Sequence, residues 1–251
     1  MNNHQSPRLI NKTKQAFSNP LLALSSIGMW FLALALFITN AHWDLQISAL
    51  FFDAERCAQT RDSSTFCRGF SLAEEPVLRT IRQILQTLPT WLGIAVLLWF
   101  IADWWIGLRW KDTGFRQKAA LTTTLIIWPL LIVNGVLKAF WGRPRPWQSE
   151  PFGGTSPFIE AGRISEHCAA NCSFVSGEAA SAGWLALLVF IFPPALRPLA
   201  AMILIPASIF MAGLRIGFGA HYTSDAFLGY WGSIAVFALV FTTMTRLASK
   251  A

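Results

Sequence analysis

Seven ionisable side chains in the C-terminal half have the types and spacing to handle a phosphate group: Lys138, Arg143, Arg145, Glu178, Arg215, His221 and Asp225. Arginine offers oxygen atoms a planar fork of donors, and lysine adds a point charge. Ser176 and Gly177 come just before an apolar run. The free backbone N–H groups of a helix starting there would favour an anion, and Gly177 would let the backbone approach it. His221 and Asp225 are four residues apart, one turn if both are helical. The carboxylate would then hold one ring nitrogen as N–H and leave the other free to attack phosphorus. A single histidine beside a membrane helix is ordinarily an interfacial hydrogen-bonding group. The Asp four residues on and the Arg six residues back point to a nucleophile instead.

These residues need a scaffold, and the composition indicates a membrane one. The chain has 251 residues, 54% hydrophobic and 13% charged, with a mean hydropathy of +0.46; a soluble domain carries roughly a quarter charged residues. Crossing the hydrocarbon core takes about 20 apolar residues. Six stretches qualify, near 21–39, 90–108, 120–139, 178–194, 198–214 and 226–247, the fourth and fifth joined by a tight turn at Pro193–Pro198. The expected fold is all-α: a six-transmembrane-helix bundle forming one domain over 1–251, with neither internal repeat nor linker. Ionisable residues at the edges of spans are functional candidates by default. The seven named above all fall at the same end of helices 3–6, which is where the active site is expected. The outer loop, 40–89, includes an amphipathic segment with Val77, Ile81, Ile84, Leu85 and Leu88 on one stripe and Arg79 and Arg82 off it. It is expected to be a separate helix, either packed on the bundle top or lying in the membrane interface.

Orientation follows from Lys and Arg in short flanking segments. Arg8, Lys12, Lys14, the loop 109–118, Arg197, Arg246 and Lys250 mark one face, with Asp112 as its acid, and this face is expected to be cytoplasmic. The first span, after its basic leader, reads as an uncleaved anchor. Both termini are then cytoplasmic and the active site is periplasmic, in a bacterial inner membrane. The net charge of +7 is accounted for without nucleic acid. All four cysteines lie in outer loops, which suits disulfides in an oxidising compartment. Cys57–Cys67 and Cys168–Cys172 are the economical pairs. The alternative, a zinc site using His167, Cys168 and Cys172, falls short of the usual four ligands. The twelve Trp suit two interfacial belts. Asp103 reads as an interfacial partner of Arg109, and Asn134 as either a support for Lys138 or an interhelical hydrogen bond. Pro129 and Pro206 are expected to kink their helices.

KAFWGRPRP (138–146) contains Lys-x6-Arg-Pro, VSGE (175–178) follows, and LRIGFGAHYTSD (214–225) contains Arg-x5-His-x3-Asp. In order, spacing and placement this resembles the type 2 phosphatidic acid phosphatase superfamily of membrane lipid phosphatases, and most closely its lipid A 4′-phosphatase-like members. The superfamily motifs run Lys-x6-Arg-Pro, Pro-Ser-Gly-His and Ser-Arg-x5-His-x3-Asp. The resemblance implies that His221 forms a phosphohistidine and that Asp225 orients it. It also implies that Lys138, Arg145 and Arg215 hold the phosphoryl oxygens, with Ser176 and Gly177 adding donors and no metal or cofactor required. Arg143 falls outside the motif spacing, as a supporting contact or a solvated or headgroup-facing residue. Leu214 replaces the motif Ser and Val175 the motif Pro. Glu178 replaces the His that protonates the leaving oxygen. A carboxylic acid can do the same while protonated, or Glu178 can instead stabilise the helix start or pair with an Arg.

The expected activity is therefore metal-independent hydrolysis of a phosphomonoester or diphosphate on a membrane lipid, with the lipid A 4′-phosphate as a candidate. The alternatives are polyprenyl diphosphate or phosphatidylglycerol phosphate hydrolysis, phosphotransfer between lipids, and non-catalytic phospholipid binding.

Overall fold

The computed structural model describes residues 19–60 and 67–250. The basic leader with Arg8, Lys12 and Lys14 lies outside them. Helix α1 (Pro20–Thr39) starts at Asn19, whose side chain accepts from Leu21 N–H at 3.0 Å, with Pro20 in the first turn where no donor is lost. Two short helices follow, α2 (His42–Ala49) and α3 (Ala54–Thr60). The remaining elements are α4 (Pro76–Trp105), α5 (Thr113–Phe140), α6 (Gly177–Ile191), α7 (Arg197–Gly217) and α8 (Thr223–Lys250). The architecture is all-helical. No strand occurs among the described residues, which hold only an isolated bridge between Ser149 and Ser156.

Helices α1, α4, α5, α7 and α8 are long and apolar enough to cross a membrane. Their outer faces expose Leu21, Phe31, Leu98, Trp105 and Met202, where a soluble protein would expose charge. The fourth apolar stretch forms a helix shorter than the other five. At about 1.5 Å per residue, α6 reaches roughly 22 Å, against a hydrocarbon core of about 30 Å.

The amphipathic segment near 74–89 is not a separate helix: it is the first half of the 30-residue α4. Pro89 lies buried inside that helix without ending it. Leu78, Ile81 and Leu85 pack against Leu214, Phe218 and Ala220 at the end of α7, while Val77 and Ile84 remain exposed. Helix α4 thus carries Arg79 and Arg82 up beside the end of α7.

Helix α5 changes its winding in mid-course. Pro129 provides no N–H, the stretch Ile126–Leu137 widens to π-helical geometry, and Asn134 Nδ2 donates to the Pro129 carbonyl at 2.7 Å. At its other end Lys118 pairs with Asp103 of α4 at 2.5 Å and lies over the Trp99 ring. Asp103 is buried in that pair rather than bound to Arg109 at the interface, because α5 begins at Thr113 and brings Lys118 within reach.

Small residues allow the helices around the site to approach closely. A Cβ on Gly183 would come 2.2 Å from the Tyr230 carbonyl oxygen, and one on Gly229 would come 2.5 Å from that of Ser176. This locks α6 against α8. Four indoles tie helices together rather than forming a belt. Trp30 donates to the Leu228 carbonyl, Trp231 to Ser26, Trp128 to Gly229 and Trp184 to Leu121, all at 2.8–2.9 Å. Each gives a buried or half-buried N–H a partner that lipid could not provide.

Candidate active site

The chain turn after α7 fixes the spacing between Arg215 and His221. Gly219 takes a left-handed conformation, φ +62°, and its N–H donates to the Ile216 carbonyl. Ala220 and His221 both donate to the Arg215 carbonyl, at 3.0 and 3.1 Å. This is a Schellman closure, and it leaves His221 directly above the last turn that carries Arg215. Phe70 packs where a Gly219 Cβ would sit, 2.3 Å from its nearest ring atom, so only glycine fits there.

His221 therefore precedes α8, and the shared helix face expected for His221 and Asp225 does not exist. Asp225 occupies the first turn of α8, where Oδ2 accepts from Tyr222 N–H at 3.1 Å and from Ser173 Oγ at 2.6 Å. His221 Nδ1 lies 2.8 Å from the Ser173 carbonyl, to which it donates, and 3.4 Å from Ser173 Oγ. Ser173 is the direct partner of the imidazole, and Asp225 reaches it through that serine. With Nδ1 engaged, Nε2 is the nitrogen left for chemistry. Burial, followed by the charges of Arg215, Arg145 and Lys138, holds His221 well below the ordinary histidine pKa, so the ring is neutral.

Arg143 is neither a phosphate contact nor solvated: it is fully buried. Nη1 donates to Asp225 Oδ1 at 2.6 Å and to Ser224 Oγ at 2.8 Å; Nη2 donates to Asp44 Oδ2 and Nε to the Ile159 carbonyl, each at 2.8 Å. Its guanidinium stacks over Tyr222, 4.3 Å from the ring centroid. Burial opposes its charge, but Asp225 and Asp44 outweigh that and raise its pKa above the usual range. Asp44 of α2, equally buried, also accepts from Ser224 N–H at 2.8 Å and from Ser224 Oγ at 2.5 Å. One buried chain of contacts therefore runs Asp44–Arg143–Asp225–Ser173–His221.

The remaining residues surround the start of α6. Ser176 caps it, its Oγ accepting from Ala179 N–H at 3.2 Å and its own N–H donating to the Asp225 carbonyl at 3.0 Å. A Cβ on Gly177 would lie 2.6 Å from Asn134 Oδ1 and 3.3 Å from Lys138 Nζ. The glycine thus makes room for Asn134 and Lys138, and places the Lys138 ammonium at the helix start. Arg145 is extended, φ −80° and ψ 158°, and donates to the carbonyl and side chain of Asn171. The Asn171 loop is closed by a Cys168–Cys172 disulfide, and Cys57 is bonded to Cys67. Glu178 is gripped by Arg82, Nη2 to Oε1 at 2.5 Å and Nε to Oε2 at 3.1 Å, with Arg215 Nε 3.4 Å from Oε1. In this arrangement its carboxylate accepts and does not donate.

Lys138, Arg145, Arg215, Ser176, Gly177, Glu178, His221 and Asp225 thus converge at one end of α5–α8. Sequence reasoning missed Asp44, Ser173 and Asn171, and it gave Arg82 no part in the site. Arg143 is a cation with no solvent around it and so draws in buried acids, a need that no local sequence pattern signals.

A family profile described as the PAP2 superfamily matches residues 117–248. The chain is 40% identical over 212 residues to a lipid A 4′-phosphatase of Rhizobium leguminosarum, covering 84% of this chain and 91% of the relative. It is 38% identical over 237 residues to one of Rhizobium etli, covering 92% and 89%. A lipid A 4′-phosphatase of Francisella tularensis subsp. novicida is 30% identical over 222 residues, covering 84% and 92%. Among solved structures, a transmembrane PAP2-type phosphatidylglycerolphosphate phosphatase from Bacillus subtilis superposes with a TM-score of 0.51 at 18% identity. That alignment covers 91% of this chain and 96% of the other.

Proposed function

Because this chain belongs to the PAP2 superfamily and is a multi-pass membrane lipid phosphatase, we propose that it removes the 4′-phosphate of lipid A through a phosphohistidine on His221. The observation that carries the mechanism is the Ser173 carbonyl on His221 Nδ1, which leaves Nε2 as a neutral nucleophile beside three cations. Nε2 attacks phosphorus and the bond to the sugar oxygen breaks. Lys138, Arg145 and Arg215 balance the charge on the three equatorial oxygens. As the phosphate monoanion takes up Arg215, Glu178 loses that contact, and its carboxylate takes the phosphate's own proton and passes it to the departing oxygen. Water then attacks the phosphohistidine, Glu178 takes back the proton, and inorganic phosphate leaves. The lysine and arginine bias of the flanking segments and the two disulfides support a periplasmic site in an inner membrane with cytoplasmic termini.

The test is phosphate release by the detergent-purified full chain, in EDTA, from lipid A carrying both phosphates, with products identified by mass spectrometry. Loss of the 4′-phosphate, abolished in His221→Ala, is expected. Release of the other phosphate, or unchanged turnover in His221→Ala, would overturn the assignment. Glu178→Gln should lose at least 100-fold on the sugar phosphate and much less on p-nitrophenyl phosphate, whose leaving group needs no proton.

A further inference from the structure

Beside the phosphate cradle lies a cavity of about 340 Å³ lined by Ala73, Arg79, Arg82, Gln83, Arg145, Arg215, Phe218 and Ala220. Arg145 and Arg215 form its wall toward the cradle, whereas Lys138, Ser176 and His221 do not line it. The opposite wall is Arg79 and Arg82 of α4, which lie outside all three motifs. They sit three residues apart and so on one helix face. Four guanidiniums thus face one chamber. The carboxylates at hand are Glu178, on Arg82 and Arg215, and Glu74, 3.0 Å from Arg79 Nη2. With Arg145 and Arg215 given to the reacting phosphate, Arg79 and Arg82 hold Glu74 and Glu178, two carboxylates whose places a second anionic group of the substrate can take. Unlike Lys, Arg presents a fork shaped for phosphoryl or carboxylate oxygens.

We propose that this chamber binds a second anionic group, phosphoryl or carboxylate, borne by the same substrate molecule and adjacent to the phosphate being cleaved. Arg79 and Arg82 are its specificity-determining residues, and Glu178 and Glu74 hold them open until substrate arrives. The proposal rests on the reading of Lys138, Arg145, Arg215 and His221 as the phosphate cradle.

Calorimetric titration of the full chain in detergent tests it without requiring turnover. The probes are methylphosphonate and a series of α,ω-bisphosphonates with spacers of one to four methylenes. At least one bisphosphonate should bind ten-fold or more tighter than methylphosphonate, one per chain. Arg79→Gln and Arg82→Gln should each reduce that advantage to three-fold or less, with methylphosphonate still binding. Equal affinity across the whole series would overturn the proposal, as would two methylphosphonates per chain with no gain from any bisphosphonate, which would mark a site for free anions. An advantage unchanged in both variants would overturn it too. Failure of methylphosphonate itself to bind, with the protein folded, would instead sink the phosphate-cradle reading.

Discussion

At the scale of single residues, the site depends on a histidine kept uncharged among cations. His221 has a folded-state pKa depressed by burial and by Arg215, Arg145 and Lys138. In the proposed mechanism, protonation would remove the lone pair that attacks phosphorus. Because the pKa is depressed, the pair survives as pH falls through 6.5, the ordinary histidine value. We therefore expect kcat/KM, corrected for ionisation of the substrate, to stay level through pH 6.5 and to fall only well below it. A pH–rate profile with its acid limb centred at or above 6.5 would contradict the assignment. The sign of the linked stability is the same: a histidine buried neutral favours the fold above its unfolded pKa and costs stability as pH falls. Asp44 has a different effect. In Asp44→Ala one of the two carboxylates on buried Arg143 is gone. Removing one partner of a buried pair costs about 3–5 kcal/mol, to be read as a lowered unfolding midpoint. The loosened Asp225–Ser173 link should reduce kcat more than it raises KM.

At the scale of elements, α6 and α8 set the geometry because their backbones touch. Gly183→Ala would push a methyl group against the Tyr230 carbonyl. Overpacking of this kind costs about 1–3 kcal/mol, and the small separation of helices should reduce turnover at least ten-fold while the protein still purifies as a monodisperse species. This level also shows what could be read from the sequence. The apolar runs revealed every long span and the side on which the charges gather, because hydropathy and charge are additive along a chain. Boundaries were less legible: α4 runs through Pro89, and α6 is shorter than its apolar run. The motif spacing marked residues that converge in space but not their partners. Arg-x5-His came from a Schellman turn rather than a shared helix face, and Ser173 and Asp44 join the site through contacts across 48 and 180 residues of sequence. No local pattern encodes contacts of that range.

For the whole molecule, we propose that the asymmetry of lysine and arginine places the C-terminus in the cytoplasm. A fluorescent protein fused after Ala251 should be bright in cells if the C-terminus is cytoplasmic, and dark if it is exported to an oxidising compartment. The buried chain from Asp44 to His221 has a further consequence for biogenesis. Asp44 leaves the ribosome early, Arg143 in the middle of synthesis, and Ser224 with Asp225 only with the last helix. Until α8 is inserted, the guanidinium of Arg143 lacks one of its two carboxylates, and the Asp44 carboxylate lacks both donors from Ser224. The contacts that support His221 are therefore expected to close only once α8 is in place. A chain terminated before residue 223 should leave buried Arg143 and Asp44 short of partners and be less stable than the full chain.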